Sequence, residues 1–502
     1  MQNTNFSELW KNLNWKKIRK VVFRLQIRLF KAMRAGDSAR VRNLQNLILR
    51  SRSARLLAIR QVTQLNAGKK TAGVDGVKSL NFEQRFELEK RLAKYTFKWV
   101  HSKLREIPIP KKDGTSRILK VPTLADRAWQ CLVKYALEPA HEGTFNERSY
   151  GFRPGRSTHD CQKKIFHFLR SASNGKEKRI LELDIEKCFD QIDHKALIER
   201  VIAPGKIKQR IWQSLKIGAS VEFPNKGTPQ GGVFSPLLAN IALNGIETIH
   251  TSVRYADDMV FILKPKDNAE EIRGKINDFL AQRGLKVKER KTRLVHSTDG
   301  FDFLGWHFKV QSNGKFRSYP SEENFLAFRQ KVKKIVNSSN YGAKAKAEKL
   351  APIVRGWRKY HQYCKMDGAR HSLYFINNRA WKVFNKETKQ NRYSVTKLIK
   401  KAFPAVPYSE NKYINVKGNY SPFNGDVAYW AKRNSKLYDG ATAKALKKQD
   451  HSCGYCGLKF VDEENIHLHH IDGNHDNWKA SNLLAVHESC HDYIHMSLGG
   501  KP

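Results

Sequence analysis

The sequence predicts an α+β chain of several domains. Three observations carry that expectation. Short apolar strands ending in acids alternate with helical patterns between residues 105 and 263, long basic helical patterns flank them, and residues 451–502 have a composition of their own. A chain of 502 residues also exceeds what one core supports.

Taken in order, residues 15–65 place apolar residues at helical spacing with Lys and Arg between them. Gly36-Asp37-Ser38 reads as a break and a new N-cap. Residues 105–125 read as a hairpin around Lys112-Asp113-Gly114. Residues 179–184 (RILELD) form a strand ending in Asp184, and residues 252–263 (SVRYADDMVFIL) a strand pair around a turn of acids. Residues 323–400 return to long basic helices. Residues 404–435, with Pro404, Pro407, Pro422 and several Asn and Gly, read as irregular or linker-like.

Charge narrows the partners. Lys plus Arg number 93 against 47 Asp plus Glu, a formal charge of +46. Such an excess repels itself unless a polyanion neutralises it, and nucleic acid is the natural one. No apolar run reaches the ~18 residues of a membrane span, and the N-terminus lacks an apolar signal core, so neither membrane insertion nor secretion is expected. Residues 1–60 hold 15 Lys/Arg and 2 Asp/Glu, whereas residues 451–502 hold 3 and 7, with 8 of the 18 His and 3 of the 7 Cys. That break marks a domain boundary near Asp450. The remaining thiols (Cys131, Cys161, Cys188, Cys364) are scattered, as in a reducing compartment without a disulfide framework.

Two constellations carry chemistry. Tyr255-Ala256-Asp257-Asp258 puts adjacent carboxylates in a tight strand turn, where they repel unless a cation lies between them. Asp184, ending another strand, is the natural third acid of a site for two Mg²⁺ ions. A lone acid pair is equally what a solvated loop carries, so the neighbouring blocks decide its weight. Near the C-terminus, Cys453-x₂-Cys456 and His487-x₂-Cys490 have the spacing of a structural Cys₃His zinc site, with fortuitous thiols as the alternative. His491 and His495, four apart, share one face of a helix.

Residues 104–306 resemble reverse transcriptases of the group II intron-encoded type through seven blocks in the family's order. They are IPIPKKDGTSRILKVPTLADRAWQ, LEPAHEGTFNERSYGFRPGRSTHD, LELDIEKCFDQIDH, GTPQGGVFSPLLANIALNGIE, VRYADDMVF, GLKVKERKT and GFDFLGW. The resemblance implies a right-hand polymerase with Asp184, Asp257 and Asp258 as its metal-binding catalytic triad. Lys111 and Arg117 would grip the incoming triphosphate, Phe189 would gate against a 2′-hydroxyl, and Gln230 would touch the nucleotide or template base. Tyr150-Gly151-Phe152-Arg153-Pro154-Gly155 would contact template, and Phe303-Leu304-Gly305-Trp306 resembles the primer grip. Val354 to His361, interleaving aromatics with cations in a thumb-like region, suits RNA contact or helix packing. The family usually has a longer insertion where only NGIETIHTSV separates Asn244 from Arg254 here.

HLHHIDGNHDNWKASNLLAVHESCHDYIH resembles the HNH (ββα-metal) nuclease motif. By that resemblance His470 would be the general base, Asn482 would orient its loop, and His469, His491 and His495 would hold a divalent metal, leaving His467 and His475 with surface or supporting roles. The implied domains are a basic helical extension (1–70), fingers and palm (71–318), a helical thumb or maturase region (319–400), a DNA-binding linker (401–450) and a zinc-containing HNH domain (451–502). The implied activity is RNA-directed DNA synthesis, intron splicing and site-specific DNA cleavage, joined in target-primed reverse transcription. The implied partners are group II intron RNA, target DNA and deoxynucleoside triphosphates, in a bacterial-type cytoplasm at the nucleoid or in an organelle. A splicing-only maturase, a defence-type or retron-like reverse transcriptase and an RNA-dependent RNA polymerase are the rival readings.

Overall fold

The computed structural model describes residues 5–110, 114, 116–366, 373–389, 391–436, 438, 440–460 and 466–497. The N-terminal basic segment is three helices, Trp15–Arg34, Ser38–Arg50 and Arg52–Arg60, capped by Asn14, Asp37 and Ser51 side chains that accept orphan N–H groups. Their apolar stripe (Ile18, Val22, Leu25, Leu29, Leu44, Ile48) packs on the helix Leu124–Glu142 and turns most of the cations outward, while Arg55 and Arg60 are buried. Gln45, fully buried, donates to the carbonyls of Ala136 (3.2 Å) and Ile202 (2.7 Å) and stitches the extension to the main body.

The two strands of the expected hairpin pair as β1 (Arg105–Pro110) and β2 (Ser116–Val121), with Pro110 opposite Ser116, while Lys112 and Asp113 of its turn lie outside the described residues. It is mostly exposed, and Pro108 and Pro110 on β1 deny a further strand its ladder. The central sheet has the order β4-β5-β3-β6, from β3 (Arg179–Leu183), β4 (Ser252–Tyr255), β5 (Asp258–Leu263) and β6 (Arg293–His296), all antiparallel. Alternation sends Leu181, Leu183, Met259, Phe261 and Leu263 to one core, beneath the helices Ser235–Leu243 and Ala269–Ala281. Ile180, Val253, Val260 and Ile262 face a second core shared with β7 (Phe301–Phe303), β8 (Trp306–Val310) and β9 (Phe316–Pro320).

Among the described residues four helices follow, Glu322–Val336, Ala343–Tyr360, Tyr374–Glu387 and Arg392–Ala402, around their own core. The Val354–His361 aromatics turn inward, the packing alternative of the two expected for them. Trp357 stacks on Phe328 (4.5 Å between ring centroids) and Tyr360 on Trp306 (4.5 Å), while Arg358 donates to the Pro404 carbonyl (2.8 Å). Residues 404–424 are irregular as expected, yet they are a strap rather than a free linker, and a helix, Val427–Lys436, begins inside the segment read as irregular. The strap crosses the helix Thr158–Leu169, whose Asp160 accepts the Val416 N–H (2.9 Å) and pairs with Arg433 (3.0 Å) where both side chains are almost wholly buried. Trp430, also fully buried, lies against Gly155 so closely that a Cβ there would meet its ring at 2.5 Å.

The C-terminal unit pairs β10 (Ile466–His470) antiparallel with β11 (Leu483–His487), followed directly by the helix Glu488–Ser497. Its core is small, and Cys453 and Cys490 are part of it. No described helix is long and apolar enough to cross a membrane.

Candidate active sites

The first site stands at one end of the central sheet. Leu183 pairs with Met259, so extending that register by one residue sets Asp184 across from Asp258. Tyr255 and Asp258 face each other across the two-residue turn Ala256-Asp257, in which Ala256 holds φ 58°. A non-glycine residue in that region is strained and needs support. Arg254, fully buried, provides it. Its guanidinium donates to Glu247 Oε1 (2.6 Å), Asn240 Oδ1 (3.0 Å), Ser149 Oγ (2.7 Å) and the Ala256 carbonyl (2.9 Å). From the other side Gly151 presses on the turn; a Cβ there would lie 2.3 Å from the Ala256 nitrogen.

The three acids are close enough to perturb one another. Burial, then the charges of Asp257 and Asp184, push the Asp258 carboxyl up to about 6. Burial and Asp184 also raise Asp257, against the pull of Arg117 and Arg254. Lys291 Nζ lies 3.0 Å from Asp184 Oδ2. An all-carboxylate donor set whose charges are mutually costly suits a hard divalent cation.

Around this end, Arg117 is exposed on β2 with its charge felt at Asp257. Lys111 lies outside the described residues. Phe189 is half-buried with its ring edge-on to Phe152 at 6.2 Å. Gln230 donates to Asp190 (3.5 Å) and its carbonyl accepts the Lys120 N–H (2.7 Å). Gly231 at φ 125° is needed for that approach, since a Cβ would meet the Lys120 oxygen at 2.7 Å. Of the expected template segment, Phe152 is exposed, whereas Tyr150 is buried and Arg153 is committed to buried Glu142 (2.7 Å), so these two support the site from within. At Phe303–Trp306, Leu304 (φ 52°) and Gly305 (φ 79°) make a two-residue turn, and Tyr360 Oη donates to the Leu304 carbonyl (2.7 Å).

The second site is on the ββα unit. The Cys453, Cys456, His487 and Cys490 ligand atoms all lie within 4.8 Å of one another, with His487 Nδ1 3.4 Å from Cys456 Sγ. Gly457 at φ 68° closes the Cys453–Cys456 knuckle, and the Cys456 N–H donates to Cys453 Sγ (3.4 Å). Thiol donation from Cys456 and Cys490 holds Cys453 far down, and the sulfurs of Cys453 and Cys456, with burial, push Cys490 far up. Three converging sulfurs and an imidazole nitrogen fit a soft tetrahedral cation.

His469, on β10, and His491 and His495, on the helix, likewise bring one ring nitrogen each within 4.8 Å of the others. Burial, then the neighbouring imidazoles, lower His491 to about 4. His470, the next residue along β10, is 6% exposed, and neither of its ring nitrogens has a hydrogen-bond partner. Asn482 pins the following loop by accepting the Asp472 N–H (3.0 Å) and donating to Asp472 Oδ1 (2.8 Å) and the Asn477 carbonyl (3.0 Å). His467, expected to be peripheral, packs its ring 5.2 Å from His491, and His475 lies 5.0 Å from His470. Alternation along β10 gave the signal for His467, since residues 467 and 469 share a face.

The residues of the first site fall within a stretch that matches a known family. Residues 109–308 match reverse transcriptase (RNA-dependent DNA polymerase), residues 10–92 the N-terminal domain of reverse transcriptase, and residues 326–402 the group II intron, maturase-specific domain. Maturase-like protein 1 of Euglena gracilis is 40% identical over 396 residues, covering 78% of this chain and 86% of its own. The protein of the same name in Euglena longa is 39% identical over 80% of this chain and 87% of its own. The group II intron-encoded protein LtrA of Lactococcus lactis is 27% identical over 43% of this chain and 48% of its own.

Proposed function

Since the chain belongs to the group II intron reverse transcriptase and maturase family, we propose that it joins RNA-directed DNA synthesis at Asp184, Asp257 and Asp258 to cleavage of one DNA strand at His470, so that the nick primes the copying of its intron. The observation that carries the second activity is the His469–His491–His495 cluster beside His470, whose two ring nitrogens are unused in a buried setting.

Divalent cations at the two centres would supply Lewis acidity to the attacking and leaving oxygens. The chain's own groups do the rest. Asp184, Asp257 and Asp258 hold the charge of the polymerase centre at a turn fixed by Arg254. Arg117, with Lys111, orients the triphosphate of the incoming deoxynucleotide by charge-assisted hydrogen bonds. Phe189 presents its ring to the sugar and leaves no room for a 2′-hydroxyl, and Gln230 steadies the base pair from the loop that Gly231 allows. In the nuclease, His470 takes the proton of the attacking water, Asn482 keeps its loop in place, and the departing 3′-oxygen becomes the primer end. Cys453, Cys456, His487 and Cys490 would hold a structural zinc ion that reinforces the small core of this unit.

The domain reading is the basic extension 1–70, fingers and palm 71–318, thumb 319–400, the strap and DNA-binding region 401–450, and the nuclease 451–502. Intron RNA and target DNA are its macromolecular partners, a reading supported by the charge of +46. Two assays on the full chain test it. Primer extension on RNA with Mg²⁺ and deoxynucleotides should be lost in Asp257→Ala, and retained synthesis would remove the triad. Nicking of supercoiled plasmid with Mg²⁺ or Mn²⁺ should be lost in His470→Ala; persistent nicking would remove His470 as the base.

A further inference from the structure

We propose that the cavity between residues 60–85 and the C-terminal helix holds a backbone phosphate of the DNA strand being cut. The inference rests on the nuclease reading and names the group that delivers its substrate. The cavity has a volume of about 270 Å³, and Arg60, Lys70, Lys78 and Arg85 on one side face Asp492 and Tyr493 of the helix Glu488–Ser497. Four cations against one carboxylate leave a strong local excess of positive charge, as a phosphodiester requires.

Arg85 makes the demand specific. Its Nε and Nη1 are buried without a hydrogen-bond partner. Its guanidinium lies over the rings of Trp10 (5.4 Å) and Phe82 (4.8 Å), which hold the plane in place. Burying unsatisfied guanidinium nitrogens is costly, and an anionic oxygen that accepts from Nε or Nη1 relieves that cost. Burial lowers the Arg85 pKa, the direction expected of a cation waiting for an anion.

Position assigns the ligand to DNA. Asp492 and Tyr493 adjoin His491 on one helix, so the cavity and the histidine cluster lie on two sides of it. A helix is ~10–12 Å across, which is about three nucleotides at 3.4 Å rise per base. Tyr493 Oη donates to the Lys11 carbonyl (2.8 Å), which fixes the helix against the N-terminal segment. Residues 451–502 carry 3 Lys/Arg against 7 Asp/Glu, so the nuclease unit alone repels DNA, and the cations across the seam supply the attraction.

The test uses the full chain, wild type against Lys70→Ala/Lys78→Ala and against Arg85→Gln. The double variant changes two exposed side chains and keeps the test valid if Arg85→Gln folds poorly. Binding of a labelled DNA duplex is measured across a salt series, together with plasmid nicking and binding of a labelled RNA. The expected result is a log K against log salt slope shallower by about 0.9, the loss of one phosphate contact, in the double variant. Nicking should fall about tenfold or more, the loss expected when a charge-assisted contact of ~1.5–3 kcal/mol is removed. Unchanged duplex affinity and slope in both variants would overturn the site. A loss confined to RNA binding would overturn its assignment to DNA. If the wild type nicks nothing while duplex affinity drops in the variants, the nuclease reading falls and the phosphate site stands.

Discussion

Glu247→Gln tests whether the polymerase turn depends on a charge hidden beneath it. Glu247 and Arg254 are both 0% exposed and 2.6 Å apart. Removing one partner of such a pair leaves the other buried and uncompensated, at a cost of ~3–5 kcal/mol. Glutamine keeps the shape but offers no relief. Glu247 Oε1 accepts from Arg254 and Oε2 from the Gly245 N–H (3.2 Å), so either orientation of the amide sets its NH₂ against another donor. For a cooperative unit of ~150–250 residues that loss lowers the midpoint by roughly 6–20 °C. Because Arg254 also holds the strained Ala256 carbonyl, primer extension should fall even at temperatures well below the new midpoint. The assays are thermal unfolding of the full chain and primer extension on RNA. Glu271→Gln, at an exposed pair with Lys275, should leave both unmoved. A Glu247→Gln midpoint within about 1 °C of wild type would refute the argument.

Three further outcomes follow from buried or clustered groups. His141 is wholly buried, its Nε2 accepts the Ile202 N–H (3.1 Å), and burial pushes its pKa down to about 3. The native ring therefore stays neutral while the unfolded chain takes up a proton below about 6.5; the stability is whole above that pH and is lost as pH falls toward 3, with ~2 kcal/mol gone by pH 5. Urea midpoints at pH 7 and 5 should differ less in His141→Gln than in wild type, and an equal difference would sink the assignment. Asp258→Asn in chelator should raise the melting temperature more at pH 8 than at pH 5, because a carboxyl raised to about 6 costs stability progressively as pH climbs from the unfolded value of ~3.9 and costs most above 6; no gain at pH 8 would mean that the acids do not repel. Cys453→Ser, or removal of zinc, should make residues 440–497 sensitive to trypsin while the rest resists, and unchanged digestion there would exclude the Cys₃His site.

What could be read from the sequence was what local pattern controls. The strand ends bearing Asp184 and Asp257-Asp258, the hairpin at Arg105–Val121 and the paired Cys453/Cys456 and His487/Cys490 all announce themselves by alternation, turn residues or spacing. What could not be read depends on distant partners. NGIETIHTSV looked like a lost insertion, yet it folds into a tight turn, Ile246–Thr248, that supplies the buried counter-charge for Arg254. Nothing in its spacing distinguishes a buried Glu247 from a solvated one. Residues 404–435 looked like a linker because Pro, Asn and Gly deny them regular structure, while their anchors, Asp160 and Gly155, lie some 250 residues earlier. Trp357 and Tyr360 have the composition of an RNA-stacking surface and were claimed by Phe328 and Trp306 instead.

The strap also bears on how such a chain can be shortened or extended over evolutionary time. Matched family domains end at residue 402, but Asp160 loses Arg433 and the Val416 N–H if the chain stops there, and the cleft beside Gly155 loses Trp430. The unit that stands alone therefore runs through the helix ending at Lys436. A lineage could shed everything beyond that helix and keep a sound polymerase, whereas a deletion reaching back to residue 402 would leave Asp160 with its Ser157 cap but without its cation. Gain or loss of the C-terminal ββα unit should thus be found at a breakpoint after the strap, with Trp430 and Arg433 kept on the polymerase side of it.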